Sequence, residues 1–305
     1  MNYAPIIKEI GRGAKGARSL DRAQATLAFT GMLDGTAPEL ELGAILIALR
    51  IKSESLDELL GFKRAMDELG ARISAPPGPR TVILPTYNGA RRQPNLMPLV
   101  ALLLARDGVP VLIQGRHDFE TRVSPLELLA ALDIHPALDA EEAAAQLATQ
   151  RLACIAVSAL LPGLDRLLAL RMRMGVRSSA HTMAKLLDPC PGRSVRVVAV
   201  THPEYLERMD EFLRADGGRS MLLRGTEGEI YANPRRCPEM KVYAEGECRT
   251  AVVGEEGGAP PLAGLPDSSS IADNVTVIRA MLAGEQPVPG PIQAQVEALA
   301  ALARG

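Results

Sequence analysis

Five short, nearly continuous apolar runs constrain the fold of this chain more than any other feature of its sequence. They are rich in β-branched residues, are separated by helix-like segments, and lie at 81–85, 109–113, 152–157, 195–200 and 219–225. Strands without polar alternation are buried on both faces, which is typical of parallel sheets covered by crossover helices. The runs therefore predict an α/β domain with a mostly parallel central sheet.

The first 72 residues show helical patterns and no such run. Asp21 and Ser55 are N-cap candidates, and Glu58, three residues after Ser55, completes a capping box. The segment 42–51 is apolar almost all round, so we expect that helix to be buried, with a subunit contact as one means of burial. This part of the chain is predicted to be all-helical.

A second helical stretch, 163–188, interrupts the alternation of strands and helices. We interpret it as returning to the helical part. The predicted organisation is a small, discontinuous helical domain that also forms a homodimer, and a larger α/β domain. The first comprises residues 1–72 and about 160–190, and the second 78–159 and about 191–305. A stiff Ala-Pro-Pro-Gly-Pro boundary precedes the larger domain.

Composition excludes several classes of protein. No apolar run reaches the roughly 18 residues of a membrane span, and the first residues lack the profile of a signal peptide. The four cysteines have no CxxC pair and no zinc-like spacing. We therefore expect a cytoplasmic protein with reduced thiols, no membrane association, no metal site and no cofactor.

Basic residues are concentrated in two places, although the net charge is only −2. Residues 163–196 contain seven Lys and Arg against two acidic residues, and residues 80–92 contain three arginines and no acid. Such segregation predicts a basic face on a nearly neutral protein.

Ligands of open α/β sheets bind beyond the carboxyl ends of the strands. The loops 85–94, 114–123 and 224–234 meet that description, and we expect the basic helical segment to face them across a cleft. The cations predicted to bind phosphate are Arg91, Arg92, Arg116, Arg122, Arg171, Arg173, Arg177 and Lys185.

Several motifs resemble those of the anthranilate phosphoribosyltransferase family, whose fold is a small helical domain beside a larger α/β domain. Where that family has a GTGGDG loop, residues 85–90 read Pro-Thr-Tyr-Asn-Gly-Ala. Its Asn-x-Ser-Thr helix start corresponds to Asn-Leu-Met-Pro at 95–98, and its Lys-His-Gly-Asn-Arg turn to Ile-Gln-Gly-Arg-His at 113–117. The former substrate-loop positions are Thr86, Asn88, Gly89, Asn95 and Gly115.

The departures from that family affect the groups that would hold a phosphoribosyl diphosphate. Pro85 has no N–H for a phosphate, and Tyr87 places a ring in the loop. The family's adjacent Asp-Glu pair, which holds Mg²⁺, is replaced by Glu227 and Glu229, separated by Gly228. We expect these two glutamates to support a turn, with no metal ligand and no catalytic residue at the site.

The sequences 11–22, 85–95 and 172–186 resemble most closely the YbiB-type branch of the family. That resemblance implies a homodimer that binds DNA and other nucleic acids without marked sequence preference and lacks the parent activity. With few aromatic residues, base stacking, for which Tyr87 is the candidate near the basic loops, is expected to be secondary to phosphate contact.

Two other functions stay open. An enzyme of the same fold with an altered substrate would still have the former substrate-loop positions and Arg177. A scaffold protein would bind its partner through the apolar helix at 42–51. The sequence leaves undecided whether the ligand is DNA or RNA, and whether it is single- or double-stranded.

Overall fold

The computed structural model describes residues 2–13, 15–118, 121–266 and 270–305. Its strands are β1 (Thr81–Thr86), β2 (Val111–Gly115), β3 (Leu152–Ala156), β4 (Ser194–Val200), β5 (Ser220–Arg224), β6 (Met240–Ala244) and β7 (Glu247–Val252). Its helices are α1 (Ala4–Ile10), α2 (Arg22–Asp34), α3 (Glu39–Lys52), α4 (Leu56–Leu69), α5 (Met97–Arg106), α6 (Pro125–Ala131), α7 (Ala140–Gln150), α8 (Val157–Leu160), α9 (Pro162–Ala169), α10 (Arg171–Met174), α11 (Ser179–Met183), α12 (Pro203–Asp216), α13 (Ile271–Ala283) and α14 (Gly290–Arg304), with a 3₁₀ turn at Ala184–Leu186.

The chain forms two compact units. The helical unit consists of Met1–Ala71 and Val157–Pro189, and the sheet unit consists of Arg72–Ala156 and Cys190–Gly305. The fold class is therefore the predicted one, a helical domain with an α/β domain. Among the described residues, no helix is both long and apolar enough to span a membrane.

Local capping explains where the helices of the helical unit begin. The Asp21 carboxylate accepts the Gln24 backbone N–H at 2.8 Å, and α2 ends at Gly35, whose φ of 84° is in the left-handed region. Ser55 and Glu58 form the predicted capping box at the start of α4. Both N-cap predictions are confirmed, because the partners of a cap lie within the same turn of helix.

Within the single chain, α3 buries one of its stripes, and burial of the other at a subunit contact stays a prediction. Its residues Ile45 and Leu46 are fully buried, but Leu40, Ile47 and Ile51 are 82%, 39% and 68% exposed. A helix at the surface of a unit buries one stripe, and α3 packs its buried stripe mainly against α1. The opposite stripe is an apolar surface of the single chain.

The sheet unit contains one seven-stranded sheet in the order β3-β2-β1-β4-β5-β6-β7. The five predicted runs form β1 to β5, which are all parallel, and β6 and β7 add an antiparallel hairpin at one edge. The hairpin was not predicted, because the strands carry polar residues and β7 is largely exposed. Its turn residues Glu245 and Gly246 have φ of 55° and 85°, as tight hairpins require.

The strand order positions the site. Strand β1 pairs with β2 on one side and β4 on the other, so the winding of the sheet reverses there. The carboxyl ends of strands at such a reversal border a crevice where α/β proteins bind ligands. Helices α5 and α14 pack against the sheet beneath this edge, within an apolar core that includes Val82, Leu99 and Leu299.

Candidate functional site

Parts of all three predicted loops meet at the carboxyl edge of the sheet. Residues 88–92, here called the amide loop, follow β1, and residues 225–229, here called the glutamate turn, follow β5. Ala90 of the amide loop and Val123, in the loop that follows β2, exchange two backbone hydrogen bonds, at 3.0 and 2.8 Å. The loops that follow β1 and β2 are thus joined.

Glu229 binds the first half of the amide loop. Its Oε1 accepts the backbone N–H groups of Asn88 at 2.9 Å and Gly89 at 2.7 Å, and the residue is completely buried. Gly89 has φ of 67°, and a Cβ at this position would lie 2.9 Å from the carbonyl oxygen of Val123. A glycine is therefore required for the loop to reach Glu229.

Glu227 binds the second half. Its Oε2 accepts the N–H of Arg91 at 3.2 Å, and its Oε1 accepts that of Arg92 at 3.0 Å. The Asn88 side-chain amide also donates to the carbonyl of Gly228 at 2.8 Å. We expected Glu227 and Glu229 to support a turn, and the structure shows that their carboxylates bind a loop more than 130 residues away in sequence.

This arrangement does not fit a phosphoribosyl diphosphate with Mg²⁺. Successive backbone N–H groups form an anion site, but here carboxylates of the same chain occupy the N–H groups. Tyr87 is 9% exposed and donates its hydroxyl to Gln114 at 2.5 Å, which fills the loop further. In the described part of the chain, no three His, Cys, Asp or Glu side chains are grouped to hold a metal ion.

The four predicted cations of the sheet unit have different surroundings. The side chains of Arg91 and Arg92 are exposed. Arg116 is half-buried in an ion pair with Asp118 at 2.6 Å. Arg122 donates to the carbonyl oxygens of Gly89 at 3.2 Å and Glu227 at 3.4 Å, so it supports the loops from within. Of these four residues, Arg91 and Arg92 are the two that are exposed.

The four predicted cations of the helical unit lie within 15 residues of one another. Arg171 and Arg173 belong to α10, exposed Arg177 follows it, and half-buried Lys185 lies in the 3₁₀ turn. Arg173 is 3.5 Å from Glu39, and both side chains are largely exposed, so this ion pair contributes little. That this segment faces the loops of the sheet unit stays a prediction.

The residues that we predicted to be former substrate-loop positions contribute to internal packing. Asn95 is fully buried, accepts the N–H of Met97 at 3.3 Å and donates its backbone N–H to Asn274 at 2.6 Å. Gly115 ends β2 so close to Thr86 that a Cβ would lie 1.8 Å from the Thr86 carbonyl oxygen. Thr86 is 1% exposed, and Asn88 and Gly89 belong to the amide loop.

A cavity of about 1110 Å³ beside the glutamate turn was missed by the sequence analysis. Its lining includes the basic residues Arg92, Arg224, Arg235, Arg236 and Lys241. The adjacent arginines at 235–236, directly after the predicted ligand loop 224–234, are a basic signal in the sequence, but that signal does not show that a cavity is present. Acidic residues line the same cavity, among them Glu207, Glu239 and Glu255, so its charge is mixed.

Asp210, in the wall of this cavity, is held ionised by its neighbours. Burial by itself would raise the pKa of Asp210, but hydrogen bonds from Tyr243 and Arg214 hold the pKa below its ordinary value. Burial and the hydrogen bond to Asp210, at 2.6 Å, raise the pKa of Tyr243. The pair is therefore a phenol and a carboxylate at neutral pH.

Comparison with known proteins agrees with this fold. Residues 4–70 match the helical bundle domain of a glycosyl transferase family. Protein YbiB of Escherichia coli (strain K12) is 42% identical over 298 residues, covering 97% of this chain and 92% of that protein. Anthranilate phosphoribosyltransferase of Methylocella silvestris is 29% identical over 285 residues, covering 92% of this chain and 80% of the enzyme.

Solved structures agree as well. Anthranilate phosphoribosyltransferase from Thermus thermophilus superposes with a TM-score of 0.76 at 22% identity, covering 99% of this chain and 88% of that chain. The Saccharomyces cerevisiae enzyme, in complex with PRPP and Mg, has a TM-score of 0.74 at 13% identity, covering 98% and 87%. The chain thus belongs to the same family as YbiB and has the fold of the anthranilate phosphoribosyltransferases.

Proposed function

We propose that this protein binds nucleic acid without sequence preference, through arginine side chains at the carboxyl edge of the sheet, and does not transfer phosphoribosyl groups. One observation carries the proposal. Glu227 and Glu229 occupy the backbone N–H groups of the amide loop, while the side chains of Arg91 and Arg92 in the same loop are exposed. The loop thus offers guanidinium groups to an anion instead of backbone amides.

Guanidinium groups on exposed side chains suit a polymer of phosphates. They bind phosphate bidentately and follow a backbone without requiring one fixed pose. Each phosphate neutralised on duplex DNA releases counterions and contributes about 0.9 to the log–log salt slope. Local clusters of cations can therefore provide affinity on a protein whose net charge is −2.

Phosphate contact is favoured over base recognition. Tyr87 and Tyr231, the aromatic residues of these loops that the structure describes, are buried and hydrogen-bonded, so their rings are not offered for stacking. The sequence contains no zinc-finger, homeodomain or basic-zipper pattern that would read bases. DNA is the proposed ligand, with RNA as a second candidate.

A homodimer is part of the proposal. The exposed apolar stripe of α3, with Leu40, Ile47 and Ile51, lines a groove of about 740 Å³ together with residues of α1. An exposed apolar stripe favours a subunit contact that removes it from water. A two-fold contact would do so, because it buries the same patch on both subunits. Two basic surfaces on one particle would raise the avidity for a polymer. We also place the protein in the cytoplasm.

The proposal is tested by the salt dependence of binding to unrelated duplexes and single strands. Replacing Arg91 and Arg92 together by Ala should weaken all sequences equally, by about tenfold at low salt, and lower the slope by roughly 1.8. The matched control is Arg249→Ala with Arg279→Ala, which removes the same charge from exposed positions of the sheet unit. Equal losses in both double variants, or an affinity that does not vary with salt, would contradict the proposal.

The alternative, an enzyme of this fold with another substrate, makes a different prediction. The relatives named as anthranilate phosphoribosyltransferases motivate that test. Calorimetric titration of the unaltered protein with phosphoribosyl diphosphate and Mg²⁺ should show no saturable heat. Saturable binding would overturn the proposal and favour the enzyme.

A further inference from the structure

Every backbone N–H group of the amide loop has an acceptor within the chain. Four of the five donate to carboxylates, those of Asn88 and Gly89 to Glu229 and those of Arg91 and Arg92 to Glu227. The fifth, of Ala90, donates to the carbonyl of Val123 at 3.0 Å. The carboxylates of Glu227 and Glu229 thus accept every N–H group of the amide loop except that of Ala90.

Clustered N–H groups of this kind bind oxyanions in many proteins. Their partial positive charges add up, and oxygens of phosphate or carboxylate accept them with similar geometry. The amide loop has the donors of an oxyanion site, and the oxyanion is supplied by the protein itself.

The glutamate turn is built to hold its carboxylates in place. Glu227 has φ of 53° and Gly228 φ of 91°, so two successive residues are in the left-handed region. Such a conformation at a non-glycine residue persists where the surroundings determine it. Thr226 closes the turn, because it donates both its N–H and its hydroxyl to the carbonyl of Tyr231, at 3.2 and 2.9 Å.

The base of the turn is anchored in the core. Helix α14 contributes Gln295, which is fully buried, accepts the N–H of Ala232 at 2.8 Å and donates to the carbonyl of Ile230 at 2.7 Å. A Cβ on Gly225 would lie 2.0 Å from the carbonyl oxygen of Glu229. The turn therefore presents Glu229 to the amide loop from a fixed position.

We propose that Glu227 and Glu229 are specificity-determining residues that act as an internal anion. They occupy the oxyanion site of the amide loop and so exclude free phosphate and diphosphate compounds, while exposed Arg91 and Arg92 remain accessible to phosphates of a polymer. The proposal rests on the proposed function for the role of the arginines only. The exclusion of small anions is tested without nucleic acid.

The physical basis of the exclusion is competition and repulsion. A tethered carboxylate competes at the high effective concentration of an intramolecular ligand. An incoming diphosphate is also repelled by the two carboxylates that already accept the N–H groups of the amide loop. Specificity against a ligand commonly comes from such repulsive elements as well as from attraction to the preferred ligand.

The test is calorimetric titration with inorganic pyrophosphate. Replacing Glu227 by Ala and Glu229 by Gln removes both charges, while the Gln amide keeps the volume of the buried side chain. This double variant should bind pyrophosphate at least about tenfold more tightly than the unaltered protein, because Glu227→Ala frees the N–H groups of Arg91 and Arg92 and Glu229→Gln removes the second negative charge beside them. The backbone amide signals of Asn88, Gly89, Arg91 and Arg92 should shift during the titration.

The matched control is Glu211→Gln with Glu285→Gln, two exposed acids of the sheet unit. It changes the net charge equally and should leave pyrophosphate binding unchanged. If the double variant does not fold, Glu227→Ala alone decides the question, since it frees the N–H groups of Arg91 and Arg92 at a half-buried position.

Two results would overturn the inference. One is a folded variant that binds pyrophosphate no better than the control. The other is an unaltered protein that binds pyrophosphate saturably with shifts of the same four amide signals. A failure of Arg91→Ala with Arg92→Ala to weaken nucleic-acid binding would reject the proposed function and leave this inference standing, so the two failures are distinguishable.

Discussion

The helical unit and the sheet unit each completely bury a glutamate that accepts two backbone N–H groups, Glu58 and Glu229. Glu58 accepts those of Leu20 at 2.9 Å and Ser55 at 2.7 Å, and Lys52 Nζ lies 2.7 Å from its carboxylate. It neutralises a cation and caps a helix within its own unit.

Glu229 is as completely buried as Glu58, but it lies in the sheet unit. Its N–H partners belong to a loop 140 and 141 positions away in sequence, at the carboxyl edge of the sheet. The comparison shows that burial of a carboxylate does not by itself indicate function. The position at a reversal of the sheet winding distinguishes Glu229 from a glutamate that stabilises the fold.

The largest expected effect is the loss of stability in Glu58→Ala. The substitution leaves the Lys52 ammonium without its carboxylate partner and two backbone N–H groups without their acceptor. Breaking a buried ion pair in this way costs about 3–5 kcal/mol. Chemical denaturation measures this loss in the free energy of unfolding. The control is Glu68→Ala, at an exposed position of the same helix, which should lose less than about 0.5 kcal/mol. A loss of stability no larger than that of the control would show that Glu58 does not stabilise the helical unit.

Glu229→Ala should cost less, about 2 kcal/mol, because the substitution removes the acceptor of two backbone N–H groups. The effect should be local. Hydrogen exchange at Asn88 and Gly89 should accelerate, while exchange in β1 stays slow. Glu229→Gln keeps an acceptor and should retain most of the stability. Uniform acceleration throughout the sheet would show that Glu229 is part of the core instead.

Tyr243→Phe tests a third buried polar contact, away from the amide loop, and should cost about 1 kcal/mol at neutral pH. The folded-state pKa of Asp210 is lowered, so its contribution is complete above the unfolded pKa of about 3.9 and is lost as the pH falls through the folded value. The difference between wild type and variant should therefore shrink below about pH 3.9. A difference that is constant from about pH 7 to about pH 2.5 would show that the hydrogen bond is not to an ionised Asp210.

The smallest expected effect on stability belongs to Arg91→Ala with Arg92→Ala. Both side chains are exposed, and their backbone N–H groups still reach Glu227, so the free energy of unfolding should change by less than about 0.5 kcal/mol. Thermal and chemical unfolding measure this directly. A larger loss would mean that the arginines support the loop, and the drop in nucleic-acid affinity would then have a structural cause.

Local signals predicted much of the fold. The apolar runs of β1 to β5 and the caps at Asp21 and Ser55 were correct, because burial on both faces and capping depend on residues close in sequence. The hairpin of β6 and β7 was missed, since an exposed edge strand needs no apolar pattern. The buried and exposed stripes of α3 were not distinguished, because a segment that is apolar almost all round does not show which stripe packs within the chain.

For the site, the sequence identified the loops and the loss of glycine-rich phosphate binding, but not what replaced it. Arg116 and Arg122 are partly buried, whereas Arg91 and Arg92 are exposed, and this difference appears only after folding. The Arg235 and Arg236 cavity also emerged only from the structure.

The amino-acid order alone determines the helix caps, the five inner strands and the absence of a GTGGDG loop at 85–90, because each depends on the neighbours of a residue in the chain. The occupation of the amide loop by Glu227 and Glu229 depends on the order of strands in the sheet, which places β1 and β5 on either side of β4. A hydrogen bond between residues 140 positions apart exists only when that order brings the two loops together.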